Sequence, residues 1–222
     1  MITETIVYPC GCESFTHETG ILRSHSKCEF HTAAQRRPQD LGEDYYEELA
    51  KIGSTHHVDE IREALGPFPV AVRSKLALEI GPGVSQYVKP IQEAGWKYHA
   101  VDASSWACRH LRVNHGAIAT VATIEQFHTQ QKYDFLLCAH VLEHLEDAPR
   151  MLVKMNWLTE PGAECWIIVP DDSDPVNPDH LWFFTEATLA DLLEASGFHL
   201  DKIATYQHIA REKFVYARAT SL

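Results

Sequence analysis

The chain has 222 residues, of which 45% are hydrophobic and 23% charged, and its formal net charge is −12. This composition predicts a globular chain with one main core and a small appendage. A polyanion is bound through Lys and Arg, so the acidic balance argues against nucleic acid and anionic membranes as partners. No basic leader and no apolar run of roughly 20 residues is present, so we expect a cytoplasmic location and no membrane span.

Residues 1–31 contain closely spaced Cys and His but few aliphatic side chains. "PCGC" and "CEFH" supply a C-x-C pair and a C-x-x-H pair, namely Cys10, Cys12, Cys28 and His31. Three thiolates and one imidazole match a closed, four-coordinate structural zinc site, whereas a disulfide is disfavoured in a cytosolic chain. His17 or His25 is an alternative fourth ligand. We therefore expect residues 1–31 to form a zinc-binding module.

Residues 32–70 contain two segments with helical periodicity, "GEDYYEELAKI" and "THHVDEIREAL". The first has acidic residues in its opening turn, and the second ends at Gly66-Pro67, as helices commonly do. This region is interpreted as a helical connector.

Short apolar runs of strand type alternate with helical patterns from Lys75 onward. The runs are "LALEI" (76–80), "YHAVDA" (98–103), "AIATVA" (117–122), "YDFLLCA" (133–139) and "ECWIIVP" (164–170). "SSWACRHLRVN" and "DAPRMLVKMNWL" are helical in period, so the alternation predicts a parallel sheet covered on both faces. "TEATLADLLEASGF" predicts a helix from Thr185 to Gly197, and "DKIATYQHI" with "KFVYARAT" predicts an antiparallel hairpin.

Gly81 and Gly83 follow the first strand, at the sheet edge where such folds bind ligands. The dinucleotide fingerprint G-x-G-x-x-G requires a third glycine where this chain has Gln86, which argues against a pyrophosphate cofactor. Asp102 ends the second strand, where a ribose hydroxyl pair is held. These residues predict a nucleoside ligand without phosphates. Alternatively, Asp102 caps the helix after Ser104, and Glu79 is a strand-end carboxylate satisfied by backbone.

Several segments together resemble the class I S-adenosylmethionine (SAM)-dependent methyltransferases, particularly their small-molecule group. The resemblance covers roughly residues 75–200 and rests on "ALEIGPG", "HAVDAS", "ATIEQF", "YDFLLCAHVLEHLED", "LTEPGAECWIIVPD" and "HLWFFTEATLADLLEASGF". It implies an α/β fold, with a Rossmann-like, doubly wound, mostly parallel seven-stranded sheet over residues 71–222 and the zinc-binding segment as an appendage. The implied cofactor is SAM.

The resemblance also assigns candidate cofactor-binding residues. It implies that Glu79, Gly81 and Gly83 surround the methionyl end, that Asp102 binds the ribose and that Ala103 flanks the adenine. His140 would lie near the methyl group to be transferred. Where the family often carries an Asp beside the adenine, this chain has Thr123, so a backbone amide with packing of Ile124, or the Glu125 carboxylate, would have to make that contact.

Two histidines are candidates for a general base, since an oxygen or nitrogen acceptor must lose a proton. They are His144 in "VLEH" and His180 in "PDHLWFF", which follows a Pro- and Asp-rich loop where the family commonly covers the acceptor. Alternatively, Glu143 and His144 only order the following helix. Asp171 and Asp172 offer a site for a metal or a cationic acceptor, although a solvated loop is the simpler interpretation.

The expected function is methyl transfer from SAM to an oxygen or nitrogen of a small-molecule acceptor, with one structural zinc. Two alternatives remain open: a methyltransferase acting on a macromolecule that the zinc module presents, and a SAM-binding scaffold without turnover. An oxidoreductase is disfavoured because Gln86 replaces the third glycine.

Overall fold

The structure is a computed structural model that describes residues 4–7, 13–16, 22–23, 47, 56–72, 75–171, 180–207 and 213–222. The predicted zinc ligands and their alternatives lie outside the described residues: Cys10, Cys12, Cys28, His31, His17 and His25. The first connector helix, apart from Glu47, and Asp172 lie outside them as well.

The strands and helices that the sequence predicts from Lys75 onward occur in the predicted order. The strands are β1 (Glu4–Val7), β2 (Glu13–Thr16), β3 (Leu22–Arg23), β4 (Leu76–Ile80), β5 (Lys97–Asp102), β6 (Ile118–Val121), β7 (Tyr133–Ala139), β8 (Thr159–Pro170), β9 (Trp182–Phe183), β10 (Phe198–Gln207) and β11 (Lys213–Ser221). The helices are α1 (His56–Leu65), α2 (Val88–Glu93), α3 (Ser105–His115), α4 (Ala148–Leu158) and α5 (Glu186–Ala195), with a 3₁₀ turn at Leu142–His144. To the predicted elements the structure adds β1, β2, β3, β9 and α2.

Seven of these strands form the main sheet, in the order β10-β11-β8-β7-β4-β5-β6. The strands from β4 to β8 are parallel, and β10 and β11 form an antiparallel hairpin at one edge. This confirms the mostly parallel α/β sheet and the terminal hairpin. The chain runs outward from β4 to β6 and then returns to β7 on the other side of β4. The strand order therefore reverses between β4 and β7, which opens a crevice at their carboxyl ends.

Alternate residues of the strands enter two separate cores, because side chains along a strand point to opposite faces. Leu78 and Leu136 pack with α4 and α5 on one face, in a cluster that includes Leu152 and Leu189. The neighbouring strand residues instead pack with α1, α2 and α3, in a cluster that includes Ala77, Phe135, Ile61, Ile91 and Leu111. Helices therefore cover both faces of the sheet, as the alternating pattern predicts.

Local signals set most of the helix ends. Ser104 caps α3, its Oγ accepting from the Ala107 amide at 3.2 Å, and Gly116 ends that helix with a φ of +61°. The Asp147 carboxylate caps α4 by accepting from the Arg150 amide at 3.1 Å. β8 begins at Thr159, five residues before the predicted strand, because Thr159 already pairs with Tyr133 of β7; the register then shifts, and pairing with β7 resumes at Glu164.

The N-terminal strands belong to a second, antiparallel sheet of order β1-β2-β3-β9. Leu22 of β3 pairs with Phe183 of β9, and Arg23 pairs with Trp182. The backbone of β3 is thus hydrogen-bonded to the chain just after His180. The boundary of the zinc-binding module at residue 31 remains a prediction. Among the described helices, none is both long and apolar enough to cross a membrane.

The start of α5 tests how much a local cap contributes to this fold. Thr185 and Thr188 form a reciprocal capping box, in which the Thr185 Oγ1 accepts from the Thr188 amide at 3.2 Å. Removing the Thr185 hydroxyl leaves that amide without its acceptor, so Thr185→Ala should lower the free energy of unfolding by about 1 kcal/mol. Urea denaturation measures the loss. Glu194→Ala, an exposed position on the same helix, is the control, and an equal loss in both variants would contradict the capping role.

Candidate functional site

Asp102, at the end of β5, joins two of the loops at the carboxyl edge of the sheet. Its Oδ2 accepts from the Gly83 amide at 2.8 Å and its Oδ1 accepts from the Ser104 amide at 2.7 Å. Burial raises the pKa of Asp102, whereas these two amide bonds lower it. The cap of α3 is Ser104 itself, so the interpretation of Asp102 as that cap is wrong. Each carboxylate oxygen keeps a second lone pair that can accept from a ligand hydroxyl.

Glu79, in β4, is 2% exposed and is held by two side-chain hydroxyls. Its Oε2 accepts from the Tyr98 hydroxyl at 2.5 Å and from the Ser85 Oγ at 2.8 Å. Ser85 in turn accepts from the amides of Tyr87 and Val88, which fixes the start of α2. Burial raises the pKa of Glu79 to about 7, the hydroxyls of Tyr98 and Ser85 lower it, and the charge of Asp102 raises it. The sequence contained these partners, but only the pairing of β4 with β5 shows that they meet.

Gly81 brings the loop after β4 against the loop after β7. Its φ is +62°, and its amide donates to the Val101 carbonyl at 2.8 Å. A Cβ at this position would overlap the Cγ2 of Val141. The two loops that border the crevice are therefore in contact, and only a residue without a side chain allows this approach.

His140 follows β7 and lies at the same edge as Gly81 and Asp102. Its φ is +56°, its amide donates to the Ile168 carbonyl at 3.0 Å, and its ring meets the Phe214 ring edge-on at 4.7 Å. A positive φ is rare for a residue with a side chain and commonly marks a functional turn. The structure therefore brings together the carboxyl ends of β4, β5 and β7, where Glu79, Asp102 and His140 lie.

The residues after β6 that are predicted to contact adenine lie in three different environments. The Thr123 carbonyl accepts from the amides of Gln126 and Phe127, forming a turn, whereas Ile124 is buried in the core with Val101. Glu125 is exposed, and its carbonyl accepts from Lys154 Nζ at 2.9 Å. Its side chain borders a depression of about 320 Å³ beside α4. The adenine contacts of Ala103, Thr123, Ile124 and Glu125 remain predictions.

The two candidate bases meet around a buried carboxylate. Glu143 is 1% exposed, and its Oε1 lies 3.7 Å from His144 Nε2 and 3.9 Å from His140 Nδ1. The rings of His144 and His180 meet edge-on at 4.9 Å. The Leu181 amide donates to the Glu143 carbonyl at 2.7 Å, which fixes the chain next to His180 against the 3₁₀ turn. Burial raises the pKa of Glu143 to about 7, and His144 lowers it.

The sequence interpretation assigned no chemistry to Glu143. Its position in "VLEH", directly before His144, was the available signal, but burial of the carboxylate follows only from the packing of the 3₁₀ turn. Asp171 pairs with Phe184 through an isolated bridge, and its amide donates to the Lys213 carbonyl at 2.8 Å. The structure therefore gives Asp171 a backbone connection between β11 and the segment before α5.

The methyltransferase domain model matches residues 49–203, which is most of the chain. The chain belongs to this family and is a SAM-dependent methyltransferase. No curated protein matches the sequence.

Solved structures with the same fold come from several bacteria. The N-methyltransferase NodS of Bradyrhizobium japonicum, in complex with S-adenosyl-L-homocysteine, is 20% identical, with a TM-score of 0.62 over 74% of this chain and 85% of that one. The 1,6-didemethyltoxoflavin-N1-methyltransferase of Burkholderia thailandensis is 16% identical, with a TM-score of 0.61 over 99% of both chains. A SAM-dependent methyltransferase of Mesorhizobium loti is 14% identical, with a TM-score of 0.59 over 82% and 99%.

The contact between the crevice loops makes Gly81 sensitive to any side chain. Gly81→Ala combines a strained φ with an overlap on Val141, so we expect a loss of roughly 2–4 kcal/mol in the free energy of unfolding and weaker SAM binding. Gly116→Ala is the matched control, because its φ of +61° is nearly the same and no atom lies within 4 Å of its Cβ position. Chemical denaturation and calorimetry measure both effects.

The control should lose only the backbone strain, about 1 kcal/mol, and keep its SAM affinity. Adding Val141→Ala to Gly81→Ala should recover part of the loss by removing the overlapping methyl. If Gly81→Ala and Gly116→Ala are equally destabilised and bind SAM equally well, the loop contact is unimportant.

The raised pKa of Glu79 predicts a pH-dependent stability of the ligand-free protein. Because the folded state favours the protonated acid, Glu79 contributes its full stability below its unfolded pKa of about 4.5 and loses it as the pH rises through about 7. Glu79→Gln does not titrate. The free energy of unfolding of the native chain should therefore fall by about 2–3 kcal/mol relative to Glu79→Gln between pH 5 and pH 8. A difference that does not change with pH in urea denaturation would refute the raised pKa.

Proposed function

We propose that this protein transfers the methyl group of SAM to an oxygen or nitrogen atom of a small molecule. The observation that carries the proposal is the bond between Asp102 and Gly83 in the crevice where the strand order reverses. This arrangement offers a carboxylate for the ribose hydroxyls next to glycine backbone that a ligand can approach closely. Glu79, Gly81 and His140 would surround the methionyl end of SAM.

Positioning accounts for most of the catalysis in this proposal. Methyl transfer from a sulfonium is an in-line displacement, and holding the two reactants in line can supply roughly 7–11 kcal/mol. His144 and His180 lie together at the edge that follows β7, so an imidazole is available there to accept the proton of the acceptor. Their catalytic role is part of the proposal.

The names of the similar structures favour a small acceptor. NodS is called an N-methyltransferase, and the Burkholderia thailandensis enzyme contains bound 1,6-didemethyltoxoflavin. The acidic charge of this chain agrees with an acceptor other than nucleic acid. We also propose a cytoplasmic location. The zinc held by Cys10, Cys12, Cys28 and His31 stays a prediction of their spacing.

The role of Asp102 in cofactor binding provides the test of this function. Asp102→Ala removes the carboxylate that the ribose would contact and frees the Gly83 amide, so SAM binding should weaken by about 1–3 kcal/mol. Isothermal titration calorimetry with SAM and with S-adenosyl-L-homocysteine measures the loss. Circular dichroism at the same temperature establishes that the variant is folded.

Asp134→Ala is the matched control. The Asp134 carboxylate also accepts from a backbone amide, that of Leu76 at 3.1 Å, and pairs with Lys75, but it lies at the opposite end of the strands. Its removal should leave the SAM dissociation constant unchanged. A native chain without measurable SAM affinity would defeat the proposed function, and equal affinity in both variants would remove Asp102 from the cofactor site.

A further inference from the structure

The Glu143 carboxylate is buried without the hydrogen bonds that such a group needs. Neither of its oxygens accepts a hydrogen bond from any described residue, and the side chain is 1% exposed. A buried carboxylate costs several kcal/mol unless hydrogen bonds or a positive charge compensate it. Other buried carboxylates at this edge are satisfied, since Asp102 accepts from two amides and Glu79 from two hydroxyls. Glu143 therefore requires a partner other than the amides and hydroxyls that satisfy Asp102 and Glu79.

Two imidazoles stand next to this carboxylate at a separation that suits a metal ion. One ligand atom from each of Glu143, His144 and His180 lies within 4.8 Å of the other two. The Glu143 Oε1 to His144 Nε2 distance is 3.7 Å. Ligand atoms bound to one cation at about 2.0–2.2 Å are separated by roughly 3–3.5 Å, so shortening the longest of these separations by roughly 1–2 Å closes the set.

The backbone holds the three residues in place independently of any ion. Glu143 and His144 share the 3₁₀ turn, and the Leu181 amide donates to the Glu143 carbonyl at 2.7 Å. His180 is thereby fixed opposite the turn although it comes from a distant part of the chain. His140 also faces this carboxylate, with its Nδ1 3.9 Å from the Glu143 Oε1, and its ring packs on Phe214.

We propose that Glu143, His144 and His180 bind one divalent cation. Two imidazoles and one carboxylate suit Mn²⁺, Fe²⁺ or Zn²⁺ better than Mg²⁺ or Ca²⁺, which prefer sets made of oxygen alone. Three protein ligands leave coordination positions open for a further group. None of these three residues belongs to the zinc-ligand set predicted for residues 1–31, which consists mainly of thiolates.

A bound cation limits the acceptor to molecules that can coordinate it. This conclusion about the acceptor rests on the proposed function, whereas cation binding does not. A hydroxyl that binds the ion has a lower pKa and loses its proton to solvent, so with the cation bound His144 and His180 act as ligands in place of the base that the proposed function assigns to them. The resulting oxygen forms a bond to the methyl carbon as the bond from that carbon to the sulfonium sulfur breaks, and S-adenosyl-L-homocysteine leaves with a neutral thioether sulfur. The acceptor is therefore an oxygen nucleophile, with a hydroxyl or a neighbouring oxygen that can coordinate the cation.

Binding of Mn²⁺ alone tests the site, because Mn²⁺ disfavours the thiolates of the N-terminal segment. The full chain is treated with chelator, dialysed and titrated with MnCl₂, and the free ion is followed by electron paramagnetic resonance. We expect one Mn²⁺ per chain and a loss of at least tenfold in affinity in Glu143→Gln and in His180→Asn. Glu143→Gln removes one charge from a buried site with no change in size, and His180→Asn provides a second variant should the first not fold.

His110→Asn is the matched control. His110 and His115 are a second pair of neighbouring histidines, with ring centroids 5.9 Å apart, but they belong to α3. The control should bind Mn²⁺ like the native chain. No Mn²⁺ binding by the native chain, or equal binding by the native chain and both site variants, overturns the proposal. SAM titrations of the native chain separate the two hypotheses: SAM affinity without Mn²⁺ binding rejects only the cation site, and Mn²⁺ binding without SAM affinity rejects only the proposed function.

Discussion

The bond between the Asp102 carboxylate and the Gly83 amide is the interaction on which the site depends. It joins the loop after β4 to the end of β5, and the second oxygen of Asp102 joins that strand end to the start of α3. Without these bonds, the loop after β4, the end of β5 and the start of α3 would not be fixed relative to one another. The contact between Gly81 and Val141 extends the arrangement to the loop after β7. The crevice is thus bordered by loops that fix one another.

Buried carboxylates of the described residues are concentrated at this single edge of the sheet. Glu79, Asp102 and Glu143 are 2%, 6% and 1% exposed. A charge in such a position reduces stability unless nearby groups compensate it, and proteins retain such groups mainly at functional sites. The first two are compensated by hydroxyls and amides of the chain. Glu143 differs because its neighbours are imidazoles, which bind protons or metal ions.

The fold separates two tasks that methyl transfer requires. Loops after β4 and β5 surround the proposed cofactor position, whereas the 3₁₀ turn and the segment before β9 bring His144 and His180 to the proposed acceptor side. β9 also pairs with β3, so the proposed acceptor side is the part of the domain that the N-terminal strands reach. That connection gives the N-terminal strands a structural link to the proposed acceptor side.

The α/β class and most elements after Lys75 were readable from the amino-acid sequence, whereas β9 and α2 were not. Period-two and helical patterns over residues 75–221 are set by burial on a sheet or a helix, and caps such as Ser104 and Asp147 act within one turn. The glycines and Asp102 were identifiable because their places after strands define the edge of a parallel sheet. The folded chain was needed to show which side chains meet: Tyr98 and Ser85 on Glu79, Val141 on Gly81, and His180 beside Glu143 and His144. These contacts depend on strand order and loop packing, which place residues far apart in the chain within a few ångströms and leave no local pattern in the sequence.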